Sequence, residues 1–368
     1  MKIWKLVSLI LITIFALSAA NLVHAQTTIT DGIGAAPSGI AYDPSTNQVY
    51  VVNPYAGTIS VIQDNTNTVT STISGLSATP HDLAYDSGTK TMYVSTDDGV
   101  DVIPDNSNVT TTIPLDRGCT GIAYDSSQNE IYVSSEYTTM VSVISDSSNT
   151  IVKNITMSEY PGSMTYDKTQ NEIFVSEGNS YTGNVAVITA NYNIHTTIPV
   201  GGVRSGPGSL VYDSVKGRIY VTNSTTVSVI SDNNKISAVI SVGSAPGYLV
   251  SDSNGKIIGS NGAVISDSSN SVIATVNVGT TPAGIAYDSN NGDIYVTNAN
   301  DPGTVTVTPV SSGTPSTSTP TSSASSSSTP TVPEFNNAAL ISVAIATIAL
   351  TFSAVALKAR TRKFSEDN

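Results

Sequence analysis

The chain has 368 residues, only 12% of them charged, a formal net charge of −13 and one cysteine. So few charges beside abundant Ser, Thr, Asn and Gly exclude a helix-rich cytosolic protein, and the acidic balance sets it against nucleic acid and anionic membrane surfaces. A lone cysteine excludes an intrachain disulfide, so packing and strand pairing must hold the fold.

Residues 1–25, "MKIWKLVSLILITIFALSAANLVHA", carry Lys2 and Lys5, then an apolar run, then small residues at Val23 and Ala25. This is the pattern of a secretory signal peptide removed after Ala25. Between residues 26 and 332 stand 9 Lys and Arg against 25 Asp and Glu, so charged partners are expected to be cations or basic proteins.

From residue 26 to 310 one phrase recurs. "GIAYDPSTNQVYVVN" at 39–53 returns as "GIAYDSSQNEIYVSS" at 121–135 and "GIAYDSNNGDIYVTN" at 284–298. Aligned on its aspartate it occurs seven times, at Asp43, Asp86, Asp125, Asp167, Asp213, Asp252 and Asp288, spaced by 43, 39, 42, 46, 39 and 36 residues. Each copy reads as four short β-branched runs separated by Gly, Asn, Asp and Ser turns, the signature of a β-propeller blade. Three residues before each aspartate lies an apolar residue such as Ile40 or Leu83, and one before it a tyrosine in six copies. The intervening position is Ala, Thr or Val, so both faces of this strand are apolar, as a sheet between two neighbouring sheets requires.

Copies one to six each end in a fourth strand, whereas the seventh ends at "TVTVTPV" (304–310) without one. The orphan "TTITDGIG" (27–34) is therefore expected to complete the last blade and close a seven-bladed ring. The sixth copy, with Ser251 in place of tyrosine, is expected to be the thinnest blade.

Residues 311–337 begin as "SSGTPSTSTPTSSASSSSTPTV", an uncharged Ser/Thr/Pro stalk suited to O-glycosylation. Residues 338–357 are uncharged for 20 positions, about 30 Å as a helix, enough to span a bilayer. The basic tail 358–368 places that end inside and the propeller outside. The expected fold is thus all-β, a seven-bladed propeller closed by an N-terminal strand, followed by a C-terminal transmembrane helix.

The strings "VYVVN", "MYVST", "IYVSS", "IFVSE" and, twice, "IYVTN" give the chain a resemblance to the YVTN-repeat β-propellers of archaeal surface-layer and cell-surface proteins, over about residues 27–310. That resemblance implies a propeller and a surface location but no single activity. "VPEF", with Pro333, Glu334 and Phe335 just before the apolar span and basic cluster, is similar to PEF-CTERM sorting signals, which implies processing by an archaeosortase.

Seven equivalent aspartates around a ring cannot converge on one substrate, so each is expected to accept backbone N–H groups in its own turn. Six copies place proline six residues before the aspartate, where a strand's first residue needs no ladder donor; the third has Cys119 there. Cys119 is expected to be a small apolar filler, the rival reading being a reactive thiol or a link to a partner chain. The turns "QDNTNT", "PDNSN" and "SDSSNT" lack the charge count of a calcium loop and read as hairpin chemistry. His195 falls on an outer strand; His81 starts an inner strand near the axis but has no His or Cys nearby to make a zinc site. No metal or cofactor is expected. Asn108, Asn154 and Asn223 open N-glycosylation sequons.

One feature exceeds what the repeat demands. Turns on one face of blades two to four carry Asp97, Asp98, Asp116, Glu136, Glu159 and Glu177 with Tyr137, Tyr160 and Tyr181; blade one adds Tyr55, and Arg204 enters blade five. Such a lopsided acidic, tyrosine-bearing rim suits a basic protein, a cation or a glycan. The expected function is a non-enzymatic structural or protein- and glycan-binding module of an archaeal envelope, membrane-anchored with its propeller outside. The rivals are an extracellular enzyme of metal-dependent lyase or lactonase type around His81, and a cation or solute receptor.

Overall fold

The computed structural model describes residues 26–310 apart from 106, 117, 179–182 and 202–207. The predicted signal peptide, stalk, sorting motif at Pro333, Glu334 and Phe335, transmembrane helix and basic tail lie outside the described residues. Among the described residues no helix is long and apolar enough to cross a membrane.

Seven antiparallel four-stranded sheets account for the strands among the described residues. Blade two shows how the sequence builds one: Pro80–Asp86 innermost, then Thr91–Thr96, Gly99–Pro104 and the outer Thr111–Pro114. Met92, Tyr93 and Val94 are all buried, because both faces of the second strand meet a neighbouring sheet. At the end of each innermost strand the repeat aspartate turns the chain. Asp43, Asp86, Asp125, Asp167, Asp213, Asp252 and Asp288 each accept the N–H of the residue two positions on, at 2.7–2.9 Å. All seven are buried. The structural role expected of them holds.

The sheets pack in a cycle. Leu83 and Tyr85 of blade two meet Tyr50 and Val61 of blade one, and Ile122 and Tyr124 of blade three meet Ala84 and Tyr93 of blade two. The same contact recurs between blades three and four, four and five, five and six, and six and seven. A seventh cluster joins blade one, through Ile40 and Tyr42, to Ala286, Tyr295 and Val307 of blade seven, together with Ile29 and Ile33. The ring is closed as predicted: Thr27–Ile29 pairs antiparallel with Thr304–Pro309, in the register Thr27↔Val307, Thr28↔Thr306, Ile29↔Val305. The chain then crosses to blade one, where the Gly32 carbonyl accepts the Ser60 hydroxyl and the Gly34 N–H donates to Asn53 Oδ1.

Near the axis the innermost strands slip register, between Pro80 and Asp82, Cys119 and Ile122, Pro161 and Met164, and Pro282 and Gly284. Such bulges leave an N–H without a ladder partner. Hydroxyls on the second strands supply one: the N–H groups of Asp82, Gly121 and Gly284 donate to Ser95, Ser134 and Thr297. The same hydroxyls donate onward to Thr120, Gly162 and Ser38 carbonyls of the next blade. The Thr297–Ser38 bond, at 2.8 Å, carries this stitching across the closure. Spacing there is tight: a Cβ at Gly121 would lie 2.2 Å from the Gly162 carbonyl oxygen, so glycine is required.

Blade six has the shortest strands, Leu249–Ser251, Lys256–Gly259, Ala263–Ser266 and Ser271–Thr275. Pro80, Pro161 and Pro282 open innermost strands, and Cys119 opens that of blade three.

Candidate functional site

Backbone bonds lock the rim turns of blades two and three together before any side chain is considered. Asp97 N–H donates to the Thr79 carbonyl, Gly118 N–H to Asp97, Leu115 N–H to Asp98, and Glu136 N–H to Gly118, at 2.9–3.2 Å. Between these turns opens a cleft of about 410 Å³ lined by Ala78, Thr79, Asp97, Asp98, Gly118 and Tyr137. Gly118 has a φ of +81°, and a Cβ on it would sit 2.4 Å from Tyr137 Cδ2, so only glycine lets that ring lie against the wall. Tyr137 is 68% exposed. On the axial side Asp97 Oδ1 pairs with His81 Nε2 at 2.8 Å.

The electrostatics show which rim residues act together. Burial pushes the Cys119 thiol up to about 12, and the charges of Asp116, Asp97 and Asp98 add to the shift. The Tyr137 hydroxyl is raised first by its hydrogen bond and charge interaction with Glu136, then by burial and by Asp97. Asp97, Asp98, Asp116, Glu136 and Tyr137 therefore form one patch at the junction of blades two and three. Tyr55 and Tyr160 stand exposed on the flanking blades, and Glu159 is half-buried beside Tyr160. Tyr181 and Arg204 lie outside the described residues.

Glu177 does not belong to the rim surface. It is 1% exposed, and its carboxylate accepts the Ser158 N–H at 2.9 Å, the Ser158 hydroxyl at 3.0 Å and the Glu159 N–H at 3.2 Å. It stands one residue before the end of the second strand of blade four, at the repeat position held by Asn53, Thr96, Ser135, Asn223 and Asn298 elsewhere. The polar end of the repeated phrase points inward to pin a turn. Asn223 shows the same correction: it is buried, and its Nδ2, the atom a glycan would occupy, donates to the Val200 carbonyl and the Ser228 hydroxyl. Asn108 and Asn154 are exposed.

Cys119 is 1% exposed and donates to the Asp116 carbonyl at 3.3 Å, packed with Ile122, Val133 and Leu115. The filler reading holds. Native protein at pH 7.5 should resist maleimide for hours and label stoichiometrically in denaturant, since the thiolate is the nucleophile; rapid native labelling, followed by mass spectrometry, would refute the assignment. His195 is exposed on the outer strand Ile194–Pro199, as expected.

No protein-family model matches the chain, and no curated protein does. Among solved structures it is similar to hydrazine synthase of Kuenenia stuttgartiensis, with 16% identity over 78% of this chain and 98% of that one and a TM-score of 0.66. At this identity the likeness speaks to the fold, a β-propeller, and not to the chemistry.

Proposed function

We propose that this protein is a non-enzymatic, exported β-propeller of an archaeal envelope, of the YVTN-repeat kind, whose blade two–three cleft binds a basic segment of another envelope protein. The observation that carries this is the cleft itself: two carboxylates, Asp97 and Asp98, share a rigid wall with an exposed tyrosine. Aromatic and carboxylate groups together suit a lysine or arginine side chain, through ion pairing and cation–π contact. The predicted signal peptide, membrane span 338–357 and sorting motif at Pro333, Glu334 and Phe335 support display at the cell surface, with archaeosortase processing and glycans on the stalk, Asn108 and Asn154 as parts of the same reading.

The test is capture of envelope proteins by full-length protein, followed by affinity measurement on what is captured. Asp98→Asn combined with Tyr137→Ala should weaken that affinity at least tenfold while leaving the melting temperature within about 1 °C, because both side chains are exposed. Unchanged affinity would remove the cleft from the reading. The alternative, an enzyme around His81, draws on the His81–Asp97 pair; stoichiometric, tightly held metal in purified protein would favour it.

A further inference from the structure

The outer strand of blade two is shorter than those on either side: Thr111–Pro114 has four residues, against six in Thr68–Ile73 of blade one and seven in Thr150–Thr156 of blade three. The flank of blade three that faces it is left partly bare. A second cavity opens there, a groove of about 350 Å³ whose lining includes Leu115, Asp116, Met140, Ser142, Ile151 and Asn154. Strand register builds that lining. Ser142 pairs with Asn154 but Ile144 with Ile151, because the outer strand slips by one residue between these pairs. Without the slip, side chains three apart would point to opposite faces. With it, Ile151 and Asn154 join Met140, Ser142 and Ile144 on one face, and Ile144 packs there with Val102 and Ile113 of blade two. The Ser142 hydroxyl donates to Asn154 Oδ1 at 3.0 Å. Ile151 remains 42% exposed.

One turn separates this groove from the rim cleft. Leu115 and Asp116 line the groove, and Gly118 lines the cleft. The Leu115 N–H donates to the Asp98 carbonyl at 3.2 Å and the Gly118 N–H to the Asp97 carbonyl at 3.0 Å. The wall between the two cavities is thus tied at both ends to the turn that carries the cleft carboxylates. Its two sides differ in chemistry. One presents Asp97, Asp98 and the Tyr137 ring; the other presents Leu115, Met140 and Ile151 with a single carboxylate, Asp116.

A lone apolar side chain in water needs no partner. A concavity within the usual range of ligand sites, about 300–1,000 Å³, with an apolar floor and a few polar groups is a different matter. A segment whose basic side chain enters the cleft carries its next residues over the wall. In extended chain, residues two apart point the same way and stand about 7 Å from one another, so one segment can set a cation on one side and an apolar side chain on the other. A purely basic segment would leave Ile151 in water, and a purely apolar ligand would gain nothing from Asp97 and Asp98. On the reading of the cleft as a seat for a basic segment, we propose that this segment also carries a large aliphatic residue on the same side, buried in the groove against Leu115, Met140 and Ile151.

Full-length protein is made in a host without N-glycosylation, because a sugar on Asn154 would stand in the groove. Surface plasmon resonance then reads the binding of Gly/Ser nonapeptides to it. One peptide carries a single lysine, one a single leucine, and four carry both, two or four positions apart in either order. At least one of the four should bind tenfold or more tighter than the lysine peptide. Ile151→Ser should abolish that gain, whereas Val152→Ser, on the same strand but outside the groove, should retain it. Asp98→Asn should weaken the two-residue peptide several-fold. Ile151 and Val152 are both exposed, so neither change threatens the fold. Lysine binding with no gain from leucine in any of the four would overturn the second anchor and leave the cleft standing, as would a gain that survives Ile151→Ser. Leucine alone binding as tightly as the pair, indifferent to Asp98→Asn, would overturn the shared segment. No binding by any of the six peptides would overturn the cleft and the groove together.

Discussion

Deleting residues 26–33 should lower the melting temperature by roughly 10 °C or more and turn a monodisperse protein into an aggregating one. The deleted segment supplies buried Ile29 and Ile33 to the cluster that joins blades seven and one. Burial of two such side chains stabilises by about 2 kcal/mol each, and the lost pairing adds roughly 1 kcal/mol per hydrogen bond. A total near 5 kcal/mol is a large part of what a domain has to lose. The deletion also exposes Thr304–Pro309 as an uncharged edge, a ready template for another chain. A peptide spanning residues 26–35, added in trans, should recover part of the loss. A truncated protein with wild-type melting behaviour and size-exclusion profile would show that the strand is dispensable.

Acidification should stabilise the propeller rather than weaken it. At four junctions a buried aspartate ending an innermost strand faces an aspartate that opens a turn on the next blade. Asp105 is raised by burial and then by Asp43, with Ser45 and Lys90 opposing; Asp146 is raised by burial and then by Asp86, with Ser147 opposing and Glu130 adding. Asp213 is raised by burial and by Asp267, with the Val215 and Lys216 N–H groups and Arg218 opposing. Asp288 is raised by burial and by Asp64, with the Asn290 and Asn291 N–H groups and Tyr42 opposing. Asp82 is raised by burial to about 7.

A carboxyl whose folded pKa lies above its unfolded value binds its proton more tightly when folded. Its contribution is therefore complete below the unfolded pKa near 4 and lost as pH rises through the folded pKa. Each proton taken up is worth about 1.4 kcal/mol per pH unit inside that window. As pH falls from 8, Asp82 takes up its proton near 7 and the other four follow above their unfolded value, so the melting temperature should rise by several degrees and then level off below about pH 4 as the unfolded chain protonates too. Asp105→Asn and Asp146→Asn should flatten the slope and raise stability at pH 8. Calorimetry at four pH values decides the matter, and a midpoint that falls on acidification from pH 8 to 5 would reverse the sign argued here.

What the sequence disclosed, and what it hid, follows from the range of each signal. The aspartate turns, the proline-led strands and the unpaired run at 27–34 are local or count-based, so the period reveals them. Glu177 and Asn223 mislead because the end of the second strand looks like an exposed turn; it is pulled inward by the turn of the preceding outer strand, a contact no local pattern encodes. The paired aspartates across junctions depend on which strand end meets which neighbouring turn, which only the closed ring determines.

The pairing of Thr27 with Val307, 280 positions later, sets an order on biogenesis. A ribosome delivers the chain from its amino end, so the earliest strand must wait for some 280 further residues before its mate arrives. Six sheets can assemble as they emerge, each on its predecessor, while the latch stays unfastened. Bringing such distant segments together is entropically slow, which makes the interval just after delivery the time when the nascent molecule is most open to proteases and to pairing with a sister chain.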